Sequence, residues 1–154
     1  YVFHNEIVQI EFDREHGSIL RCHHAGFDID LVSETQLAEN WRMMLKMPAG
    51  ITHIYSTGQV LSSFKIEGHQ AILEWQQVDT PDGILPILVR QYVQLDGDVI
   101  TTQLEVRNDS EYSIEEIYPI CIGGMANWSE QDDWYLCWPG LIWGGEEFAK
   151  VVPA

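Results

Sequence analysis

Basic residues are scarce in this chain. Eight lysines and arginines stand against 24 aspartates and glutamates, a formal net charge of −16. A surface of that sign repels phosphate backbones and anionic headgroups, so neither nucleic acid nor a membrane surface is an expected partner. Cysteine is also sparse. Cys22, Cys121 and Cys137 are odd in number and form no CxxC spacing, so they cannot all pair within the chain, and buried free thiols are the simple reading. No apolar run approaches the ~20 residues that a membrane helix requires. Helical spacing is nearly missing. Only residues 33–40 hint at it, with Gln36 three residues after Ser33 as a weak capping box, and the stretch is too short for more than one turn or a loop. There is no Gly-rich phosphate loop, no nucleophile elbow, no internal repeat and no low-complexity segment. The chain begins at Tyr1, without an initiator Met or a leader pattern, which reads as a piece trimmed from a larger protein. Cytoplasmic and secreted settings both fit this composition.

What is present is strand after strand. Residues 87–122 hold three apolar runs joined by two turn signals, the pattern of a β-meander. Asp96-Gly97 supplies residues that tolerate positive φ in a two-residue hairpin turn. Beyond it Ile100, Thr102, Leu104 and Val106 alternate with Thr101, Gln103, Glu105 and Arg107, one set for a core and one for water. Asn108-Asp109-Ser110 turns the chain again, because short polar side chains bond their own backbone there. At Glu115-Glu116 the period slips by one residue, which predicts a bulge. Upstream, strands are expected at residues 7–12, 18–24, 27–32, 51–55, 62–67 and 71–77. Residues 41–47 read as a strand buried on both faces, with a short helix as the alternative. Thr80-Pro81-Asp82-Gly83 is a strong turn, and Pro86 marks the start of the strand after it. About eleven strands at this spacing imply an all-β antiparallel sandwich, with a domain over residues 1–145 and a tail or linker at 146–154.

The succession of strand, Asp-Gly-Asp turn, long alternating strand, Asn-Asp-Ser turn and Ile-Glu-Glu-Ile strand resembles galactose-mutarotase-like β-sandwich domains, the supersandwich modules. Residues 10–20 (IEFDREHGSIL), Glu39-Asn40-Trp41-Arg42 and residues 134–140 (WYLCWPG) add to the likeness. Such modules occur in aldose epimerases and, without catalytic duty, at the N-termini of large glycoside hydrolases, ahead of a (β/α)-barrel that does the chemistry. A complete supersandwich is longer than this chain, so the resemblance implies a truncated part of one.

The residues that could carry chemistry cluster late. Trp128, Asp132, Asp133, Trp134, Trp138 and Trp143 bring indole faces and carboxylates together, as a carbohydrate platform does, although rings of this kind also plug cores and domain interfaces. They are the expected carbohydrate-binding residues. No catalytic residue is assigned: none of the six histidines, His4, His16, His23, His24, His53 and His69, matches the epimerase segment, and Glu115 and Glu116 have no recognisable partner. His23 and His24 point to opposite faces of a strand, and neither Asp96-Gly97-Asp98 nor Asp132-Asp133 has the spacing of a calcium loop, so no metal and no cofactor is expected. The expected function is that of a non-catalytic accessory domain of a glycoside hydrolase, packed on its catalytic domain or helping shape its sugar site. The alternatives are a free-standing carbohydrate-binding module and an aldose 1-epimerase-like enzyme. Exposed edge strands would also let two copies pair as a homodimer.

Overall fold

The computed structural model describes residues 1–32, 35 and 38–122, and it is all-β. The strands in chain order are β1 (Val2–His4), β2 (Val8–Phe12), β3 (Ile19–His24), β4 (Ile29–Asp30), β5 (Ala38–Glu39), β6 (Arg42–Met47), β7 (Gly50–Tyr55), β8 (Ser63–Glu67), β9 (Gln70–Trp75), β10 (Val78–Thr80), β11 (Gly83–Leu85), β12 (Ile87–Asp96), β13 (Val99–Asn108), β14 (Ser113–Tyr118) and β15 (Cys121–Ile122). A 3-10 turn, Ser56–Gly58, links β7 to the approach of β8. Among the described residues every pairing is antiparallel. The sheets run β1-β2-β3-β4, β13-β12-β9-β8 and β14-β6-β7, with two-stranded pairs β10-β11 and β15-β5.

Period-two patterning sets which side chains enter the core. Along β12, Ile87, Val89, Gln91, Val93 and Leu95 are buried, and on β9 their neighbours Ala71, Leu73 and Trp75 are fully buried. The β1-β4 sheet faces them with Val8, Ile10, Phe12, Ile19 and Cys22, and the β14-β6-β7 sheet adds Met43, Leu45, Met47 and Ile54 to the same core. Trp75 is its keystone. The indole packs edge-on to Trp41 at 5.7 Å, and its Nε1 donates to the His16 carbonyl at 3.1 Å. Gly17 lies against this ring at φ +74, and a Cβ there would meet the indole at 2.9 Å, so the β2-β3 turn tolerates only glycine.

The turns follow their chemistry. Asn108 Oδ1 accepts from the Ser110 amide at 3.0 Å, closing the Asn-Asp-Ser turn, and Thr80 pairs with Gly83 across the Pro81-Asp82 turn. The bulge falls where the period slips: Ile114 faces Leu45 and Glu116 faces Met44, leaving Glu115 extra.

Several expectations are corrected. The hairpin loop after β12 is Gly97-Asp98, because Asp96 pairs with Val99 and Gly97 holds the left-handed φ of 60. The third run of the expected meander leaves its neighbour: β14 pairs with β6 in another sheet, since the bulged strand needs the Met43 and Leu45 row to bury Ile117 and Ile114. Residues 41–47 form a strand with one buried face, Met43, Leu45 and Met47, while Arg42, Met44 and Lys46 point away. Residues 27 and 28 belong to a turn, with Asp28 at φ 52, so the strand there shortens to β4. β1, β5 and β15 are too short for any periodic signal. The Ser33–Gln36 capping pattern lies outside the described residues.

Replacing Trp75 with alanine removes a fully buried ring from the centre of this packing. Trp75→Ala should cost about 3–5 kcal/mol in urea denaturation, against about 0.5 kcal/mol or less for Val99→Thr on the exposed rim. Burial pushes the Cys22 thiol up to about 11, with the Asp30 carboxylate adding to it. In a background carrying Cys121→Ser and Cys137→Ser, Cys22 should therefore resist a thiol reagent at pH 8 until denaturant is added.

Candidate functional site

The outer faces of the three main sheets differ in kind, and the difference locates the candidate site. On the β13-β12-β9-β8 sheet, Arg90 stands between two carboxylates in register. It donates to Glu74 at 2.6 and 2.9 Å and to Glu105 at 3.3 Å, and Tyr92 donates to Glu105 at 2.8 Å. The hydrogen bond from Arg90, ahead of its charge, holds Glu74 below the usual carboxylate range against the opposing effect of burial. On the β1-β4 sheet, Arg21 grips Asp30 with two hydrogen bonds of 2.6 and 3.1 Å and approaches Glu11 at 3.8 Å, while His23 Nδ1 lies 3.2 Å from Asp30. The Arg21 bond comes first among the causes that lower Asp30. Both faces neutralise themselves and leave little for a ligand.

The β14-β6-β7 sheet is different. Its register sets Tyr118, Arg42 and Tyr55 in one row and Glu116, Met44 and His53 in the next. Arg42 here lies between two phenol rings instead of two carboxylates. Its guanidinium sits 4.9 Å over the Tyr55 ring and donates to Glu39 at 3.0 Å, a carboxylate with 9% of its side chain exposed. The His53 and Tyr55 rings are nearly parallel, 18° apart, with centroids at 6.5 Å. Tyr55 and Tyr118 are 42% and 39% exposed. The Glu116 and His53 side chains flank Met44 from either side, two strand spacings or roughly 10 Å apart.

Beyond the β7 edge this face runs into an open groove of about 320 Å³, bordered by His53, Tyr55, Thr57, Gln59, Asp79 and Thr80. Its floor is fixed. The Gln59 side chain, 4% exposed, accepts from the Asp79 amide at 2.6 Å and donates to the Asp79 carbonyl at 3.2 Å. Thr80 Oγ1 donates to the Gly83 carbonyl at 2.7 Å. The Asp79 carboxylate has no partner among the described residues.

A larger hollow of about 520 Å³ opens at the hairpin end of the sandwich, between Glu6, Ile7, His69, Gln94 and Asp96. It offers no tyrosine or tryptophan ring, and Asn5 on its wall is committed to Gly97 at 2.7 Å and to the Ile7 and Val8 amides. The groove beside Tyr55 has the richer chemistry in the smaller volume.

Of the residues expected to bind carbohydrate, Trp128, Asp132, Asp133, Trp134, Trp138 and Trp143 all lie outside the described residues. His23 and His24 do diverge: His23 joins the Arg21–Asp30 network, and His24 packs its ring on Phe27 at 4.7 Å. Among the described residues no cluster of three or more His, Cys, Asp or Glu side chains could hold a metal ion. The row Tyr118–Arg42–Tyr55 was hidden in the sequence because its members come from three strands, two of them 63 residues apart, counting Tyr55 to Tyr118. A scan against protein-family models and a search of curated proteins each found no match.

Glu74 gives a sign-checked pH dependence. A carboxylate whose folded pKa is depressed stabilises the fold above its unfolded value, about 4.3, and loses that contribution as pH falls through the folded value. Glu74→Gln should lower the urea midpoint at pH 7 and leave a smaller difference between pH 7 and pH 3 than the wild type shows.

Proposed function

We propose that this chain is a non-catalytic β-sandwich accessory domain of a larger carbohydrate-active enzyme, of the galactose-mutarotase-like type, packed against a catalytic domain or shaping its sugar site. The observation that carries this reading is the outer face of the β14-β6-β7 sheet. It presents tyrosine rings, an imidazole, an arginine and carboxylates in two registered rows, on a rigid scaffold and largely open to solvent. Rings with polar neighbours are what a saccharide or a polar domain interface requires. The strand and turn succession that resembles supersandwich modules supports the same reading, as do the Asn-Asp-Ser turn and the bulge at Glu115. The acidic composition suits a partner that is neither nucleic acid nor anionic membrane.

An aldose 1-epimerase-like enzyme draws support from one observation. His53 and Glu116 lie about a sugar's width apart on one face, as an acid and a base acting on opposite sides of a ring must. They stand on an open face with Met44 between them, and water exclusion is what such proton transfer needs. A free-standing carbohydrate-binding module is supported by the groove and by the Trp128–Trp143 cluster of the sequence.

The full gene product and residues 1–154 alone, assayed side by side on aryl glycosides and by polarimetry on free sugars, separate these readings. Glycoside hydrolysis by the full product and no turnover by the chain alone is the expected result. Turnover by residues 1–154 alone that disappears in Glu116→Gln or His53→Ala would overturn it.

A further inference from the structure

We infer that the groove beside β7 binds an uncharged saccharide, with one pyranose ring packed against the Tyr55 side chain where it borders the groove and its hydroxyls held by Asp79, His53 and the groove backbone. The inference rests on the carbohydrate reading above and assigns it a place. Tyr55 borders the groove, and Arg42, which covers one side of its ring at 4.9 Å, does not. The 42% exposed Tyr55 side chain is thus available to the groove on a side that Arg42 does not occupy. His53 stacks loosely with Tyr55, 18° from parallel with centroids at 6.5 Å, so the two rings together form an aromatic wall at the strand edge. A pyranose presents axial C–H groups that pack on such a face and equatorial hydroxyls that seek acceptors around it.

The polar groups are placed for those hydroxyls. The Asp79 carboxylate borders the groove without a partner among the described residues, and an ionised carboxylate accepts from two hydroxyls at once. Its backbone cannot drift, because Gln59 clamps both its N–H and its C=O. Thr80, which borders the groove, spends its proton on Gly83 and keeps acceptor capacity on Oγ1. A site held in shape before binding loses little affinity to ordering. A volume of about 320 Å³ sits at the small end of ligand sites, the scale of a short saccharide more than of a nucleotide or peptide.

Charge and the occupancy of the Tyr55 ring narrow the ligand class. Asp79, Glu116 and a formal net charge of −16 disfavour an anion. A cationic ligand finds its cation–π position on Tyr55 already taken by the Arg42 guanidinium. A neutral polyhydroxy ring meets neither objection.

The test is isothermal titration of residues 1–154 with cello-, xylo-, malto- and mannotetraose. At least one should bind. Tyr55→Ala should weaken that binding about tenfold or more, and Asp79→Asn, which keeps the groove's shape, about fivefold. Phe27→Ala removes a ring 74% exposed on a distant turn and should leave the affinity unchanged. Binding that survives both groove variants but falls in Trp134→Ala or Trp138→Ala overturns the inference while keeping the carbohydrate reading. Binding of none of the four tetrasaccharides, or equal weakening by Phe27→Ala, overturns the inference outright. The accessory-domain reading is decided separately, by the turnover comparison with the full gene product.

Discussion

Everything in this fold hangs on a buried junction of polar groups where three sheets meet. Gln91, at the centre of β12 and fully buried, reaches across the sandwich and donates to the carbonyls of Asn40 at 2.9 Å and Pro119 at 3.0 Å. Ser56 Oγ accepts from the amides of Asn40 and Trp41 at 3.0 and 3.3 Å, and the Asn40 side chain donates to the Gly17 carbonyl at 2.7 Å. One small cluster thereby fixes the β2-β3 turn, the start of β6, the end of β7 and the chain after β14 relative to the largest sheet. Buried polar groups cost free energy unless paired, so each of these bonds constrains the groups it joins, while Asn40 Oδ1, Gln91 Oε1 and Trp41 Nε1 stay buried without a partner among the described residues. Apolar packing alone would hold these layers together with less positional definition.

The functional face inherits its geometry from that junction. Arg42 follows Trp41 directly and Tyr55 precedes Ser56, so the two residues that create the Tyr55 stack are each one position from a buried hydrogen bond. Gln59 lies three residues further on and clamps Asp79. The core side of residues 39–59 makes the structure rigid, and the solvent side of the same segment carries the rings and charges. Glu39 belongs to both, with a buried carboxylate that orients the Arg42 guanidinium.

How much of this was legible in the sequence divides along physical lines. Strands with clear alternation, such as residues 71–75 and 100–106, declared both their conformation and their inward face, because period-two patterning is a local signal. The bulge at Glu115 was equally local. The destination of β14 was not, since its pairing with β6 depends on residues about 70 positions upstream, counting from Leu45 to Ile114. Residues 41–47 misled because Met44 is apolar yet faces outward, between Glu116 and His53. The tryptophan-rich segment drew attention by composition, whereas the Tyr118–Arg42–Tyr55 row assembles three residues that no window of sequence contains together.

Native-state hydrogen exchange tests the central dependence most directly. The account predicts that the Asn40 and Trp41 amides, bonded to Ser56 Oγ, exchange only through global unfolding, with the same opening free energy as Val89 and Val93 in the centre of β12. Exchange of those two amides at a much lower free energy than Val89 and Val93 would mean that the junction opens on its own. The sheets would then be held by apolar packing, and the placement of Arg42 and Tyr55 would need another cause.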